Sequence, residues 1–190
     1  YIKKILPHTK KKIKKEFLIV SAGRLTKQKN FGMLIKIIKK LRNDGLLVRL
    51  NIIGSGPQFK KLNYISRNVD YIKFNKWTND LKKYFNKANL FILPSLYEGS
   101  PNVLLDAANH NIPILSSDCS GAKDILKNNT KFVFEINNSC QLKKKIENII
   151  FNYKNALEKN KINKINLKKY TSKNLNMYLK EINYLYEKKN

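Results

Sequence analysis

Short apolar runs alternate along this chain with segments whose apolar positions recur every three or four residues. Phe17-Leu18-Ile19-Val20-Ser21-Ala22 reads as a first strand, followed by an amphipathic helix from about Phe31 to Leu41. Leu47–Ile53 reads as a second strand that stops at Gly54, then Phe59–Arg67 as a helix and Tyr71–Phe74 as a short third strand. Leu81–Asn86 is a brief helix leading into the strand Asn89-Leu90-Phe91-Ile92-Leu93, and Pro101 is placed to be the first residue of the helix beyond it. Ile112–Leu115 is the next strand, Gly121–Leu126 a helix, and Lys131–Phe134 an edge strand. Ser139 is expected to cap a helix that runs to about Asn152. Residues 154–169 read as a polar linker or frayed helix. Thr171 or Ser172 opens a last helix with Leu175, Tyr178, Leu179, Ile182 and Leu185 on one stripe. Strictly alternating strands and helices predict an α/β fold: a parallel sheet of about six strands, helices on both faces, and a C-terminal helix.

The carboxyl ends of the strands gather the residues with chemistry. Glu98 and Gly99 fall in a short loop before the helix at Pro101, and Asp106 lies about a turn and a half inside that helix. The N–H groups of Asn102, Val103 and Leu104 are expected to point out between these acids. A helix N-terminus attracts phosphate, and carboxylates beside it can grip sugar hydroxyls. After the first strand come Gly23 and Arg24, with Lys29 five residues beyond the arginine. A guanidinium fork and an ammonium on the same rim suit a diphosphate. Each cation alone could be an ordinary solvated loop residue; together with the acidic helix start they carry more weight.

Four segments in order resemble one family: Gly23-Arg24-Leu25 with Lys29, then Ile53-Gly54-Ser55-Gly56-Pro57, then Ser95-Leu96-Tyr97-Glu98-Gly99-Ser100-Pro101-Asn102-Val103-Leu104-Leu105-Asp106-Ala107, then Ser117-Asp118-Cys119-Ser120-Gly121. Over roughly residues 16–150 they are similar to the C-terminal half of a family 4 retaining glycosyltransferase. The resemblance implies one half of a GT-B architecture, in which two Rossmann-like domains face each other across a cleft. It divides the chain into a basic interdomain remnant (1–15), a Rossmann-like nucleotide-sugar domain (16–153), and a linker with a C-terminal helix (154–190). Arg24 and Lys29 would neutralise the donor diphosphate, Glu98 would contact the transferred sugar, and Asp106 the ribose. The expected catalytic set is Glu98, Arg24 and Lys29. The expected donor-contact set adds Gly23, Trp77, Asn102, Val103, Leu104 and Asp106, with no metal and no cofactor. The donor that the resemblance implies is a nucleotide-diphosphate sugar, a UDP-sugar favoured, and the implied acceptor is a glycan or lipid-linked glycan of cell-envelope polysaccharide biosynthesis.

The pattern departs from that family at several points. Asp106 replaces a glutamate and is one methylene shorter, which stretches a ribose contact. Asn30, Lys76, Asn111 and Phe132 stand where glycine is usual, and Asp124 where glutamate is; asparagine tolerates the left-handed conformation, whereas Lys76 and Phe132 fit less easily. Trp77 stands where similar enzymes contact the nucleobase, and reads equally as a plain loop aromatic. His8 and His110 have no carboxylate or nucleophile at useful spacing; His110 reads as a helix C-terminal cap. Lys123 and Asp124 read as helix-start residues rather than chemistry.

Composition adds bounds. The chain has 190 residues and a formal net charge of +26. That charge invites a nucleic-acid reading, but 35 lysines against four arginines, with 26 asparagines and 22 isoleucines, follow from AT-rich codons. The cations are also dispersed, 7 in residues 1–15, 22 in 16–153 and 10 in 154–190. No nucleic acid is expected as a partner, whereas attraction to an anionic membrane face, about 1 kcal/mol per well-placed cation, suits a lipid-linked acceptor. No apolar run is long enough to span a bilayer, and Cys119 and Cys140 read as free buried thiols of a reducing compartment. The expected location is cytoplasmic, at the inner face of the cell membrane. The chain opens on Tyr1 and lacks a first Rossmann half, so it is expected to be a fragment that binds donor but scarcely turns over. An epimerase or phosphorylase on the same fold is the enzyme alternative; a basic binding protein is the non-enzymatic one.

Overall fold

The computed structural model describes residues 16–110, 112–126 and 132–158, and within them each apolar run is a strand. These are β1 (Phe17–Ala22), β2 (Val48–Ile53), β3 (Ile72–Asn75), β4 (Leu90–Leu93), β5 (Ile114–Ser117) and β6 (Val133–Phe134). They form one sheet in the order β3-β2-β1-β4-β5-β6, all pairs parallel. Between them run α1 (Phe31–Asn43), α2 (Phe59–Ile65), α3 (Lys82–Phe85), α4 (Asn102–Asn109) and α5 (Ser120–Leu126), and α6 (Ser139–Phe151) follows β6. The chain steps outward from β1 to β3, then returns to place β4 on the other side of β1. The direction of winding therefore reverses between β1 and β4, the position where open α/β sheets bind ligands.

Period-two alternation distributes the core. Phe17 and Ile19 of β1, with Leu90 and Ile92 of β4, face the cluster built with Leu34, Ile38 and Leu41 of α1 and Leu142 and Ile146 of α6. The intervening Val20, Ala22, Phe91 and Leu93 face Val103, Leu104 and Ala107 of α4 and Ala122 and Ile125 of α5. Both faces of β1 and β4 are thus buried, which is why these strands read as continuous apolar runs. Buried hydroxyls in this core have acceptors: Ser21 Oγ donates to the Ile92 carbonyl at 2.5 Å and Ser116 Oγ to the Ser117 carbonyl at 3.1 Å.

Several boundaries differ from the sequence reading. β5 starts two residues later than expected and takes in Ser116 and Ser117, both fully buried, because backbone pairing and hydroxyl acceptors make polar residues acceptable there. Pro101 is the N-cap of α4, at φ −77° and ψ 83°, rather than its first helical residue. Asn138, not Ser139, caps α6, its side chain accepting from the Gln141 amide at 2.8 Å. Residues 153–158 are helical, with Ala156 buried in the core. The positions where glycine was expected resolve separately. Asn30 takes φ +50°, Lys76 does not adopt positive φ among the described residues, and the Phe132 ring is buried. Cys119 is buried but Cys140 is exposed on the first turn of α6, contrary to the expected buried pair. Segment 1–15, with His8, Asn111, Lys131, the Asp124 side chain and the stripe from Leu175 to Leu185 lie outside the described residues.

Candidate functional site

A cleft of about 510 Å³ opens at the carboxyl ends of β1 to β4. Of the residues expected from sequence, Gly23, Arg24, Lys29, Trp77, Glu98, Asn102 and Val103 line it. Ser55, Ser100 and Pro101 line it too. They stand inside the quoted motifs, but only the fold shows which motif residues turn toward the space.

The walls are held together by backbone. The Gly23 amide donates to Ile53 and the Leu25 amide to Ser55, both at 2.9 Å, tying the loop after β1 to the loop after β2. A β-carbon on Gly54 would stand 2.0 Å from the Gly23 carbonyl oxygen, so only glycine permits this approach. On the other side the Leu96 amide donates to the Gln28 carbonyl at 2.8 Å, and Gln28 Nε2 donates to the Tyr97 carbonyl at 2.8 Å. A single 3-10 turn, Lys27–Lys29, ends at left-handed Asn30 and carries Lys29 to the cleft.

There Lys29 Nζ lies 2.5 Å from Glu98 Oε1. Their side chains are only 14% and 8% exposed, which makes this a largely desolvated pair whose members depend on one another. Ser95 Oγ donates to the same oxygen at 2.6 Å. The Glu98 carbonyl in turn accepts from the Gly121 amide at 3.2 Å and from Ser120 Oγ at 3.4 Å. Arg24, by contrast, is exposed and has no ion-pair partner among the described residues. It supplies the cleft's unshared positive charge.

The start of α4 differs from expectation. The Asn102 amide donates to Ser100 at 2.9 Å and the Leu104 amide to Pro101 at 2.8 Å, so neither is free. Leu104 is fully buried and does not line the cleft. The Val103 amide has no backbone acceptor among the described residues, and Val103 lines the cleft at the N-terminal, positive end of the helix. Asp106 is exposed and is not among the lining residues; it lies one turn, about 6 Å, further along α4 than Asn102. Trp77 is 47% exposed, and its indole donates to Asn79 Oδ1 at 3.3 Å. His110 stands at the C-cap of α4, 3.1 Å from Asn86 Oδ1. Lys123 pairs with Asp118 at 3.3 Å.

Among the described residues no group of three or more His, Cys, Asp or Glu side chains could hold a metal ion. No helix among them is long and apolar enough to cross a membrane.

Residues 3–169 match the family model of glycosyl transferases group 1, and the chain belongs to that family. It is 29% identical over 153 residues to an uncharacterized glycosyltransferase of Haemophilus influenzae, covering 78% of this chain and 43% of the relative. Over 121 residues it is 30% identical to the amylovoran biosynthesis glycosyltransferase AmsD of Erwinia amylovora, covering 60% of this chain and 33% of that one. The fold is also that of TarM of S. aureus, solved with fondaparinux, alpha-GlcNAc-glycerol and UDP. The two share a TM-score of 0.78 at 21% identity over 87% of this chain and 35% of TarM. The chain therefore spans less than half the length of each of these relatives.

Proposed function

We propose that this chain is the donor-binding, C-terminal half of a family 4 retaining glycosyltransferase of GT-B architecture, taking a UDP-sugar and serving a glycan or lipid-linked glycan acceptor. The observation that carries the reading is the joint placement on one cleft of an unshared guanidinium (Arg24), an unspent helix amide (Val103) and a held carboxylate (Glu98). A diphosphate fits the first two, and a sugar hydroxyl fits the third. As the bond to the sugar breaks, negative charge grows on the departing diphosphate. Arg24 and the α4 N-terminus meet it with fixed charge and dipole, and Lys29 lies within reach to share it. Glu98 orients the sugar. Asp106, exposed and outside the cleft wall, is not given a direct ribose contact. Acceptor groups belong to a facing Rossmann-like domain.

UDP is favoured because S. aureus TarM was solved with UDP. In addition, a relative of Escherichia coli, 30% identical over 131 residues, is named as a UDP-Gal:alpha-D-GlcNAc-diphosphoundecaprenol galactosyltransferase. That relative's lipid-linked acceptor supports work at the cytoplasmic membrane face, where a lysine-rich chain is attracted. The test is calorimetric titration of the purified chain with UDP, GDP and ADP at moderate salt, beside Arg24→Ala. Binding of UDP in preference to the other two, weakened at least tenfold in Arg24→Ala, supports the reading. A folded chain that binds none of them overturns it.

A further inference from the structure

We infer that Ser95 is a positioning residue of the cleft: with Lys29 it pins one oxygen of Glu98 so that the other is the acceptor offered to the sugar on the diphosphate. The inference rests on the donor-binding reading above. Ser95 is fully buried, two residues beyond the end of β4. Its hydroxyl donates to Glu98 Oε1 at 2.6 Å, the same oxygen that Lys29 Nζ reaches at 2.5 Å. Oε2 receives no hydrogen bond from any described residue, although Glu98 lines the cleft. Ser95 is itself fixed, its carbonyl accepting from Ser117 Oγ at 2.5 Å at the end of β5.

The geometry divides the work. Two donors on one oxygen set the plane of the carboxylate, and the lone pairs of Oε2 are left for a ligand O–H. Lysine alone, on a flexible stem, fixes a charge but not an orientation. Without the Ser95 hydroxyl the Lys29–Glu98 pair can swing as a unit. The ligand part that depends on Glu98 then loses more than the diphosphate, which Arg24 and the Val103 amide hold.

The test uses the full 190-residue chain and calorimetry with UDP, UDP-glucose, UDP-galactose and UDP-N-acetylglucosamine. The readout is the ratio of affinity for the tightest UDP-sugar to that for UDP. Ser95→Ala is expected to lower this ratio at least threefold, and Glu98→Gln to lower it as well. Ser116→Ala removes another fully buried hydroxyl, one that donates only to the Leu93 and Ser117 carbonyls, and is expected to leave the ratio unchanged. An unchanged ratio in Ser95→Ala overturns the inference, as does an equal fall in Ser116→Ala. A wild-type chain that binds UDP but no UDP-sugar more tightly overturns it while leaving nucleotide binding intact. A wild-type chain that binds no nucleotide removes the donor reading and this inference together.

Discussion

Gly121 lies directly beneath the main chain of Glu98: its amide donates to the Glu98 carbonyl at 3.2 Å. A β-carbon there would stand 2.1 Å from the Gly99 carbonyl oxygen and 2.8 Å from that of Glu98. The acidic loop is thus seated on the start of α5 by a contact that admits no side chain. Gly121→Ala must push Glu98 and Gly99 outward. The expected cost is about 1–3 kcal/mol of stability together with loss of UDP-sugar binding. Urea unfolding and calorimetry on the same preparation check both.

The two cations of the cleft are expected to separate when mutated. Lys29→Ala leaves Glu98 largely buried without its counter-charge and should cost about 3 kcal/mol of stability. Arg24 is exposed and unpaired among the described residues, so Arg24→Ala should leave the denaturation midpoint unchanged while weakening UDP. Parallel denaturation and titration of the two variants distinguish a pair that holds the fold from a cation that only meets the ligand.

Trp77 forms part of the cleft wall while half-exposed. Trp77→Ala is expected to weaken UDP about threefold to tenfold with no change in stability, since the ring lies outside both core clusters. Equal binding by the two proteins would make the indole a plain loop aromatic.

Alkaline instability should trace in part to Tyr153. Burial pushes its phenol above the ordinary value, partly offset by a hydrogen bond with Asn89. The ring lies edge-on to Phe17 at 5.5 Å. The unfolded phenol ionises near about pH 10, whereas the folded one keeps its proton to higher pH. The folded state therefore holds more protons in that window, and stability falls as pH rises through it. Lys143 acts with the same sign: burial opposes its charge, but hydrogen bonds to Glu147 and Asp44 outweigh that and raise it. Lys145, lowered by burial, acts oppositely. Tyr153→Phe should flatten the fall in stability above about pH 10, measured by urea midpoints from pH 8 upward.

The strands were legible because β1 and β4 are buried on both faces and, apart from Ser21, are built from apolar residues. The glycine-rich turns were legible because their backbones touch. The extension of β5 through Ser116 and Ser117 was not legible, since a buried strand serine depends on acceptors supplied by distant residues, as Ser95 supplies its carbonyl to Ser117. The free amides at α4 were overcounted because local turns through Ser100 and Pro101 consume two of them. The pairing of Lys29 with Glu98 was invisible for a different reason: spacing places both on one rim but says nothing of which partner each chooses.

That pairing joins residues 69 positions apart. During synthesis at about 5–20 residues per second, Lys29 is made roughly 3–14 s before its counter-ion exists. Over that interval the β1–α1 unit carries an uncompensated ammonium and an open edge where β4 will dock. A nascent chain can therefore offer no complete cleft until the segment from Glu98 through Gly121 has been translated. Any truncation ahead of Gly121 should leave a sticky, cationic α/β fragment rather than a weaker version of the same site.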